Sequence, residues 1–194
     1  ELIKMINTRK PLFPPSLKMV ISIPSGITEV EERAVRDSAE QAGAKEVRLI
    51  HEPMAAAIGI GLDVLEPSGN MIIDIGGGTS EIAVIALGGI VSNKSIRIAG
   101  DDFNADIEEY MRKAHNLSIG ERTAERVKIE VGAAMAEIEN VPPDFPVHGR
   151  HLLSGIPREV MVSHAEIAQA LDKTISKIEA AILNALENTP PELS

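Results

Sequence analysis

Residues 71–85, MIIDIGGGTSEIAVI, join two short apolar segments through one acid and three consecutive glycines. The flanking segments, 71–73 and 82–85, are apolar and mostly β-branched, which is typical of buried strands. Because glycine has no Cβ atom, the backbone between such strands can take positive φ values and bring its N–H groups close to an anion. The pattern therefore predicts a phosphate-binding turn, and a plain tight hairpin turn is the alternative.

Polar groups around these glycines match a site for phosphate and magnesium. Asp74 ends the first strand, where a carboxylate can hold Mg²⁺ directly or through water. Gly76, Gly77 and Gly78 would offer backbone N–H groups to phosphate oxygens, and Thr79 adds a hydroxyl group that both donates and accepts. We therefore predict that these five residues bind phosphate and metal.

Composition excludes several classes of protein. The 194 residues are 44% hydrophobic, 25% charged and 2% aromatic, so we expect a globular α/β protein with an aliphatic core. The net charge of −10 argues against nucleic acid as a partner, because phosphate backbones are bound by basic surfaces. The absence of cysteine excludes disulfides and thiolate sites.

Other features of the sequence narrow the choice further. The five histidines show no metal-binding spacing beyond the lone pair His148 and His151, so zinc is not predicted. No GxSxG, Walker A or CxxC motif occurs, which leaves serine-hydrolase and P-loop functions without support. There is no apolar run of membrane-spanning length and no signal-peptide layout. Because the chain starts with Glu1 rather than Met, we expect it to be an excised piece.

Strands and helices are predicted to alternate along the chain. A strand over 18–24, a helix from the capping residues Thr28 and Glu31 to Gln41, and a strand over 47–50 would form a βαβ unit. The remaining predicted elements are a helix starting at Pro53, strands over 70–75, 80–87 and 90–98 with a Gly88-Gly89 turn, helices over 102–115 and 123–137, a β segment over 147–162, and a last helix capped by Ser163 and Glu166 and ended by Pro190-Pro191.

Glu52 lies where a strand turns into a helix, a position at which α/β folds often expose catalytic carboxylates. Its carboxylate could orient or deprotonate a water molecule that attacks a γ-phosphate. The alternative is that Glu52 only stabilises the positive end of the helix, which contributes roughly 0.3–1 kcal/mol.

Two further sites start or lie on predicted helices. Gly100 and Asp101 form a strand-to-helix turn whose N–H groups could meet phosphate, or Asp101 is a simple N-cap. Glu125 and Lys128 are three residues apart and so project from one helix face. They form either a solvated ion pair or contacts with the base and ribose of a nucleotide.

Several segments resemble the actin and heat-shock-chaperone ATPase superfamily. IIDIGGGTSE at 72–81 is similar to its second phosphate motif, and HEPMAAAIG at 51–59 to its connecting helix. SIRIAGDDF at 95–103, IGERTAERVKIEVG at 119–132 and TPPEL at 189–193 resemble the MreB family of rod-shape-determining bacterial actins in particular. The similarity extends over nearly the whole chain.

The resemblance implies a function and a location. We expect an ATP-dependent filament that scaffolds cell-wall synthesis under the bacterial inner membrane, so that the protein is cytoplasmic and peripheral at that membrane. Its expected partners are further copies of itself, inner-membrane lipid and the cell-wall elongation machinery, and its expected cofactors are ATP and Mg²⁺. An ATPase domain of a DnaK-type chaperone is the leading alternative, and a sugar kinase of the same superfamily is a more distant one.

The resemblance also implies roles for particular residues. Glu52 and Thr79 would be catalytic, with Glu52 acting on the attacking water, and Asp74 would serve Mg²⁺. The nucleotide would be bound by Asp74, Gly76, Gly77, Gly78, Thr79, Gly100, Asp101, Glu125, Arg126 and Lys128. Of these, Glu125 and Lys128, together with Arg126, would face the adenosine.

The fold implied by the resemblance is the actin-like ATPase fold of ribonuclease H type, present in part. Residues 1–66 would form the end of subdomain IA, 67–102 and 163–194 subdomain IIA, and 103–162 subdomain IIB. The chain lacks the upstream DxGT loop and the downstream GGG adenosine motif of the family. We therefore expect a central fragment with about half of an ATP site, and ATPase activity in the full-length protein rather than in this chain. His51 also replaces a common glutamate, which leaves Glu52 as the acid at that turn.

Leu12 and Phe13 are two large apolar residues in a loop rich in proline, and this loop resembles the one by which some MreB proteins insert into the inner membrane. Burying both side chains in lipid would be favourable at roughly 25 cal/mol per Å², and Lys10 and Lys18 would be attracted to anionic headgroups. The alternative is that both side chains pack into the protein's own core.

Overall fold

The computed structural model describes residues 17–193. These residues form two compact units. The first unit contains the described residues of Glu1–Asp74 together with Glu81–Ser95 and Ala185–Ser194, and the second contains Ile75–Ser80 and Ile96–Asn184. The assignment to three subdomains stays a prediction. No helix in the described part of the chain is long and apolar enough to cross a membrane.

The first unit begins with the βαβ arrangement predicted from the sequence. Strand β1 (Leu17–Ile23), helix α1 (Glu29–Gln41) and strand β2 (Ala44–His51) follow one another, and β1 pairs with β2 in parallel. Helix α1 starts with a capping box, because the Thr28 N–H donates to the Glu31 carboxylate at 2.9 Å and the Glu31 N–H donates to the Thr28 hydroxyl at 3.3 Å.

A second, three-stranded sheet completes the first unit. Helix α2 (Glu52–Gly59) is followed by β3 (Asn70–Ile75), β4 (Ser80–Ala86) and β5 (Gly89–Ile96), in the sheet order β3-β4-β5. Every residue of β4 is buried. The core here consists of Ala57, Ile72 and Ile85, with Met54, Ala56, Leu62, Val64 and Ile90 packed against them.

The turn between β4 and β5 differs from the prediction by one residue. Leu87 and Gly88 form it, with φ values of 52° and 75°, whereas Gly88-Gly89 was expected. Two successive residues with positive φ suit the right-handed twist of paired strands. The predicted strand over 80–87 therefore ends at Ala86.

The second unit packs helices against a small sheet. Its elements are α3 (Gly100–His115), β6 (Leu117–Ser118), α4 (Glu121–Val131), β7 (Phe145–His151), β8 (Pro157–Val162) and α5 (His164–Glu187), whose last turn enters the first unit. Strands β6, β7 and β8 are antiparallel in that order. The buried core consists of Ile107, Met111, Leu117, Ala124, Val127, Val131, Val147, Val162, Ile167 and Leu171.

Two predictions for the second unit were wrong in detail. The helix expected over 123–137 ends at Val131, because Gly132 has extended backbone angles, φ −64° and ψ 134°. The β segment expected over 147–162 is a hairpin of two strands, β7 and β8. The predicted cap of the last helix is confirmed, since the Ser163 N–H donates to the Glu166 carboxylate at 2.9 Å and the Glu166 N–H donates to the Ser163 hydroxyl at 3.4 Å.

Candidate functional site

The three glycines of residues 76–78 lie in a short turn between β3 and β4. The Gly76 N–H donates to the Thr79 carbonyl oxygen at 2.9 Å and closes this turn. Positive φ occurs among the described glycines at Gly43, Gly61, Gly88 and Gly155. The three glycines of the turn therefore do not use the positive φ values that glycine permits.

The glycine turn is instead hydrogen-bonded to the start of α3. The Gly100 N–H donates to the Gly76 carbonyl oxygen at 3.0 Å, and the Asp101 N–H donates to the Gly77 carbonyl oxygen at 2.8 Å. A Cβ atom on Gly77 would lie 3.6 Å from both oxygens of the Asp101 carboxylate. The helix start thus supports the turn, and its first two N–H groups are not presented to phosphate. The alternative role of Asp101 as N-cap was wrong, because Ala99 is the N-cap and its N–H donates to the Asp102 carboxylate at 3.0 Å.

Other donors of the turn remain available. Within the described residues, no hydrogen bond uses the N–H groups of Gly77 or Gly78, and both residues are exposed. Consecutive N–H groups in such a turn form an anion-binding concavity. These two donors therefore fit the predicted role in phosphate binding better than those of Gly100 and Asp101.

Lys128 brings a positive charge to the start of α3, which supports the glycine turn. Its ammonium group donates a hydrogen bond to the Gly100 carbonyl oxygen at 3.1 Å. A Cβ atom on Gly100 would lie 3.2 Å from the Gly76 carbonyl oxygen and 3.4 Å from the Lys128 Nζ atom. Glycine is therefore needed at position 100 for close approach of the turn, α3 and α4, and the ion pair with Glu125 that the sequence left open is replaced by this hydrogen bond.

A cavity of about 550 Å³ opens beside Lys128 and the glycine turn. Its size lies within the range of small-molecule sites, roughly 300–1,000 Å³, which are mostly apolar with a few polar groups. The lining residues are Ile75, Gly76, Gly100, Phe103, Lys128, Gly132, Ala133, Ala134, Leu171, Ile175 and Ile178. An apolar pocket with one cation and a glycine turn at its edge fits a ligand that combines a flat ring with phosphates.

Two residues predicted to face adenosine lie elsewhere on α4. Glu125 is exposed and does not line this cavity. The Arg126 guanidinium lies 5.7 Å from the centre of the Phe145 ring and lines a different cavity with Thr123, Pro146 and His148. Of the three adenosine residues predicted on α4, the structure brings Lys128 alone to the pocket.

Two carboxylates of the first unit, Glu81 and Asp74, act on a third, Glu52. Glu52 is the first residue of α2 and follows the N-cap His51, which makes no side-chain cap. Burial raises the pKa of Glu52, and the negative charges of Glu81 and Asp74 raise it further. A half-buried carboxylate with a raised pKa is typical of groups that accept protons.

Asp74 is exposed near the end of β3, as its predicted role in metal binding requires. No group of three or more potential metal ligands occurs within residues 17–193. Mg²⁺ usually keeps several waters and takes one or two protein carboxylates together with substrate phosphates. A single carboxylate therefore fits Mg²⁺ that is also bound by substrate phosphates, and it does not form a metal site of its own.

Glu81 is a buried acid that the sequence reasoning did not single out. It lies in the apolar strand β4 and is only 2% exposed. Its carboxylate accepts hydrogen bonds from the Ser25 N–H at 3.2 Å and from the Ser95 hydroxyl at 2.5 Å. An acid at the start of an apolar strand is itself a signal, because such groups are almost never fully buried without partners.

Leu12 and Phe13 lie outside the described residues. The structure therefore leaves the prediction of a membrane loop as it stands.

The family model described as MreB/Mbl protein matches residues 1–194. The chain belongs to this family. It is 48% identical over 180 residues to the cell shape-determining protein MreB of Escherichia coli K12, which covers 93% of the chain and 51% of that relative. It is 44% identical over 177 residues to the cell shape-determining protein Mbl of Bacillus subtilis 168, covering 91% of the chain and 53% of that relative. The chain thus spans about half the length of these curated MreB and Mbl relatives.

Solved structures agree with the family match. MreB5 of Spiroplasma citri bound to AMPPNP is similar with a TM-score of 0.91 and 39% identity, over 99% of this chain and 58% of that one. The ADP-bound form matches with a TM-score of 0.89 and 38% identity, over 99% and 55% of the two chains. The prediction of a partial actin-like α/β fold is confirmed. The MreB/Mbl match also decides in favour of a bacterial actin-like cytoskeletal protein over the chaperone and sugar-kinase alternatives.

Proposed function

We propose that the full-length protein binds ATP with Mg²⁺, polymerises into filaments and determines rod shape by organising cell-wall synthesis at the inner membrane. The observation that carries the nucleotide part is the cavity of about 550 Å³ in which Lys128 and Gly100 meet the glycine turn. The proposed role in rod shape is supported by the relatives, which are named cell shape-determining proteins. The structural neighbours bound to AMPPNP and ADP support nucleotide as the ligand.

Different residues around the cavity are proposed to bind different parts of the nucleotide. The apolar wall formed by Phe103, Leu171 and Ile175 suits an adenine ring, and the N–H groups of Gly77 and Gly78 suit phosphate oxygens. Burial against the apolar wall binds the adenine ring. The N–H donors fix the orientation of the nucleotide and distinguish it from a purely hydrophobic molecule.

Three side chains are proposed to act in hydrolysis. ATP supplies the γ-phosphoryl group that is transferred to water. Asp74 holds Mg²⁺, through water, and Thr79 contributes its hydroxyl group to the phosphates. Glu52 accepts a hydrogen bond from the attacking water and orients it, and its raised pKa makes the carboxylate a better acceptor for the water proton.

The proposed location is the cytoplasmic side of the inner membrane, where the protein would be peripheral. Leu12 and Phe13 would enter the lipid, and nearby lysines would contact anionic headgroups. Further copies of the protein and the cell-wall elongation machinery are the proposed protein partners.

Two measurements on the full-length protein test this proposal. Titration of a fluorescent ATP analogue, with and without EDTA, measures binding and its dependence on Mg²⁺. Sedimentation at increasing protein concentration, with Mg-ATP and without nucleotide, measures polymerisation. We expect saturable, EDTA-sensitive binding and nucleotide-dependent pelleting. Absence of binding at millimolar nucleotide would refute the assignment of the cavity.

A further inference from the structure

Glu81 is a buried carboxylate that connects three segments of the first unit. Its side chain is 2% exposed, and removal of a carboxylate from water is costly unless donors replace the water. The Ser25 N–H, in the loop after β1, and the Ser95 hydroxyl, on β5, are these donors. The carboxylate on β4 thus holds the end of β1 to β5.

The loop held by Glu81 and the residue Glu52 follow the ends of two paired strands. In the parallel pairing of β1 and β2, Ile23 is opposite His51. Ser25 follows two residues after Ile23, and Glu52 follows directly after His51 and starts α2. Fixing Ser25 therefore fixes the strand edge from which Glu52 projects.

Glu81 also acts on Glu52 through its charge. Burial makes the largest contribution to the raised pKa of Glu52, followed by the negative charges of Glu81 and then Asp74. A neutral side chain of similar shape would fill the same space in β4 at a lower desolvation cost, because a buried charge is not in itself a source of stability. Packing alone therefore does not explain why position 81 carries a charged side chain.

We propose that Glu81 is a positioning residue for Glu52. Through Ser25 and Ser95, Glu81 holds the strand edge from which Glu52 projects, and it places a negative charge near Glu52. This inference rests on the proposed function, since it requires that Glu52 orients the attacking water. Glu81 itself does not touch the nucleotide in this assignment.

Glu81→Gln separates the charge from the hydrogen bonds. The amide oxygen can accept from the Ser25 N–H and the amide NH₂ can donate to the Ser95 hydroxyl, so both connections persist. Phosphate release by the full-length protein is measured across a pH series. Glu52 must be ionised to act as a base toward the attacking water, so the rate falls on the acid side of the pH profile. Loss of the nearby negative charge moves this acid limb to lower pH by about half to one unit. Glu40→Gln, on an exposed position of α1, is the matched control and leaves the limb unchanged.

Ser95→Ala tests the hydrogen-bonding part. This substitution removes one hydrogen-bond donor to Glu81 but keeps the negative charge of Glu81. Phosphate release is expected to fall by roughly tenfold because Glu52 is misplaced, and the acid limb of the pH profile is expected not to shift. In a Glu52→Gln background, neither Glu81→Gln nor Ser95→Ala lowers the rate further, because both act through Glu52.

The outcomes separate this inference from the proposed function. A wild-type acid limb in Glu81→Gln, or losses that add to that of Glu52→Gln, overturns the inference. A wild-type protein that binds no nucleotide in the fluorescent titration instead overturns the proposed function. Circular dichroism and urea unfolding confirm that each variant is folded before its rate is interpreted.

Discussion

The ammonium group of Lys128 donates a hydrogen bond to the carbonyl oxygen of Gly100 at 3.1 Å. This bond joins the last turn of α4 to Gly100, the first residue of α3. The Gly100 N–H in turn donates to the Gly76 carbonyl oxygen at 3.0 Å. Lys128 therefore holds the glycine turn in place and supplies positive charge to the cavity. A change at Lys128 is expected to affect nucleotide binding through both effects.

Lys128→Ala in the full-length protein should weaken nucleotide binding by roughly tenfold, because a charge-assisted hydrogen bond and a cation are lost together. Titration with a fluorescent ATP analogue measures the dissociation constant. Arg126→Ala is the matched control, since it removes a cation from the same helix at a different cavity. Equal weakening by the two substitutions would show that only the net charge matters.

Gly132→Ala should destabilise the protein and narrow the cavity. A Cβ atom at Gly132 would overlap the Lys128 carbonyl oxygen, whereas a Cβ atom at Gly120, at the other end of α4, would meet no atom within 4 Å. We expect Gly132→Ala to lower the free energy of unfolding by about 1–3 kcal/mol through overpacking, and Gly120→Ala to lower it much less. Urea unfolding compares the two variants, and similar losses would contradict the described end of α4.

Glu52→Ala and Asp74→Ala should separate catalysis from binding. Loss of the water-orienting carboxylate should lower phosphate release by about 10²–10⁴-fold and leave nucleotide affinity nearly unchanged. Loss of the magnesium carboxylate should weaken Mg-nucleotide binding instead. Phosphate release and a nucleotide titration of each full-length variant test this division, which fails if both variants lose binding equally.

Glu166 should contribute stability that depends on pH. It accepts hydrogen bonds from Ser163 and lies 2.8 Å from the His115 Nε2 atom. Burial acts to raise the pKa of Glu166, but the hydrogen bonds from Ser163 and His115 outweigh burial and lower it. The stabilisation is therefore complete above the ordinary glutamate pKa, about 4.3, and is lost as the pH falls through the lower folded-state value.

Glu166→Gln should thus reduce the free energy of unfolding by about 1.5 kcal/mol at pH 7, and this difference should shrink as the pH falls below about 4.3. Urea unfolding over a pH series measures both effects. Glu179→Gln, an exposed position on the same helix, controls for the change in net charge. A difference that stays constant with pH would show that ionisation of Glu166 does not matter.

Leu12 and Phe13 are proposed to bind lipid, and their double change to serine should reduce pelleting of the full-length protein with anionic liposomes. The loss should reflect apolar burial at roughly 25 cal/mol per Å². Leu153→Ser is the control, because Leu153 is another large apolar residue and is 81% exposed. Undiminished lipid binding by a folded double variant would remove the membrane role from this loop.

Elements with local signals agreed with the sequence-based predictions. The reciprocal bonds of Thr28 with Glu31, and of Ser163 with Glu166, form between residues three apart, so the residue types at that spacing were sufficient to predict both helix starts. The end of α4 was different. Residues 133–137 continue a helical pattern, yet Ala133 and Ala134 line the cavity, and the Ala136 carbonyl oxygen lies 2.9 Å from the His164 Nε2 atom. Tertiary contacts therefore replaced local helix propensity there.

The sequence by itself determined the caps of α1 and α5, the glycine turn after Asp74 and the membership of the MreB/Mbl family, because each depends on residues close together or on recognisable motifs. Only the tertiary structure placed Lys128 on Gly100, 28 positions away, and buried Glu81 against Ser25, 56 positions away. It also separated Arg126 from Lys128, two neighbours on one helix. Such pairings depend on how whole elements pack, since burial and the available donors are properties of the surroundings and not of the local pattern.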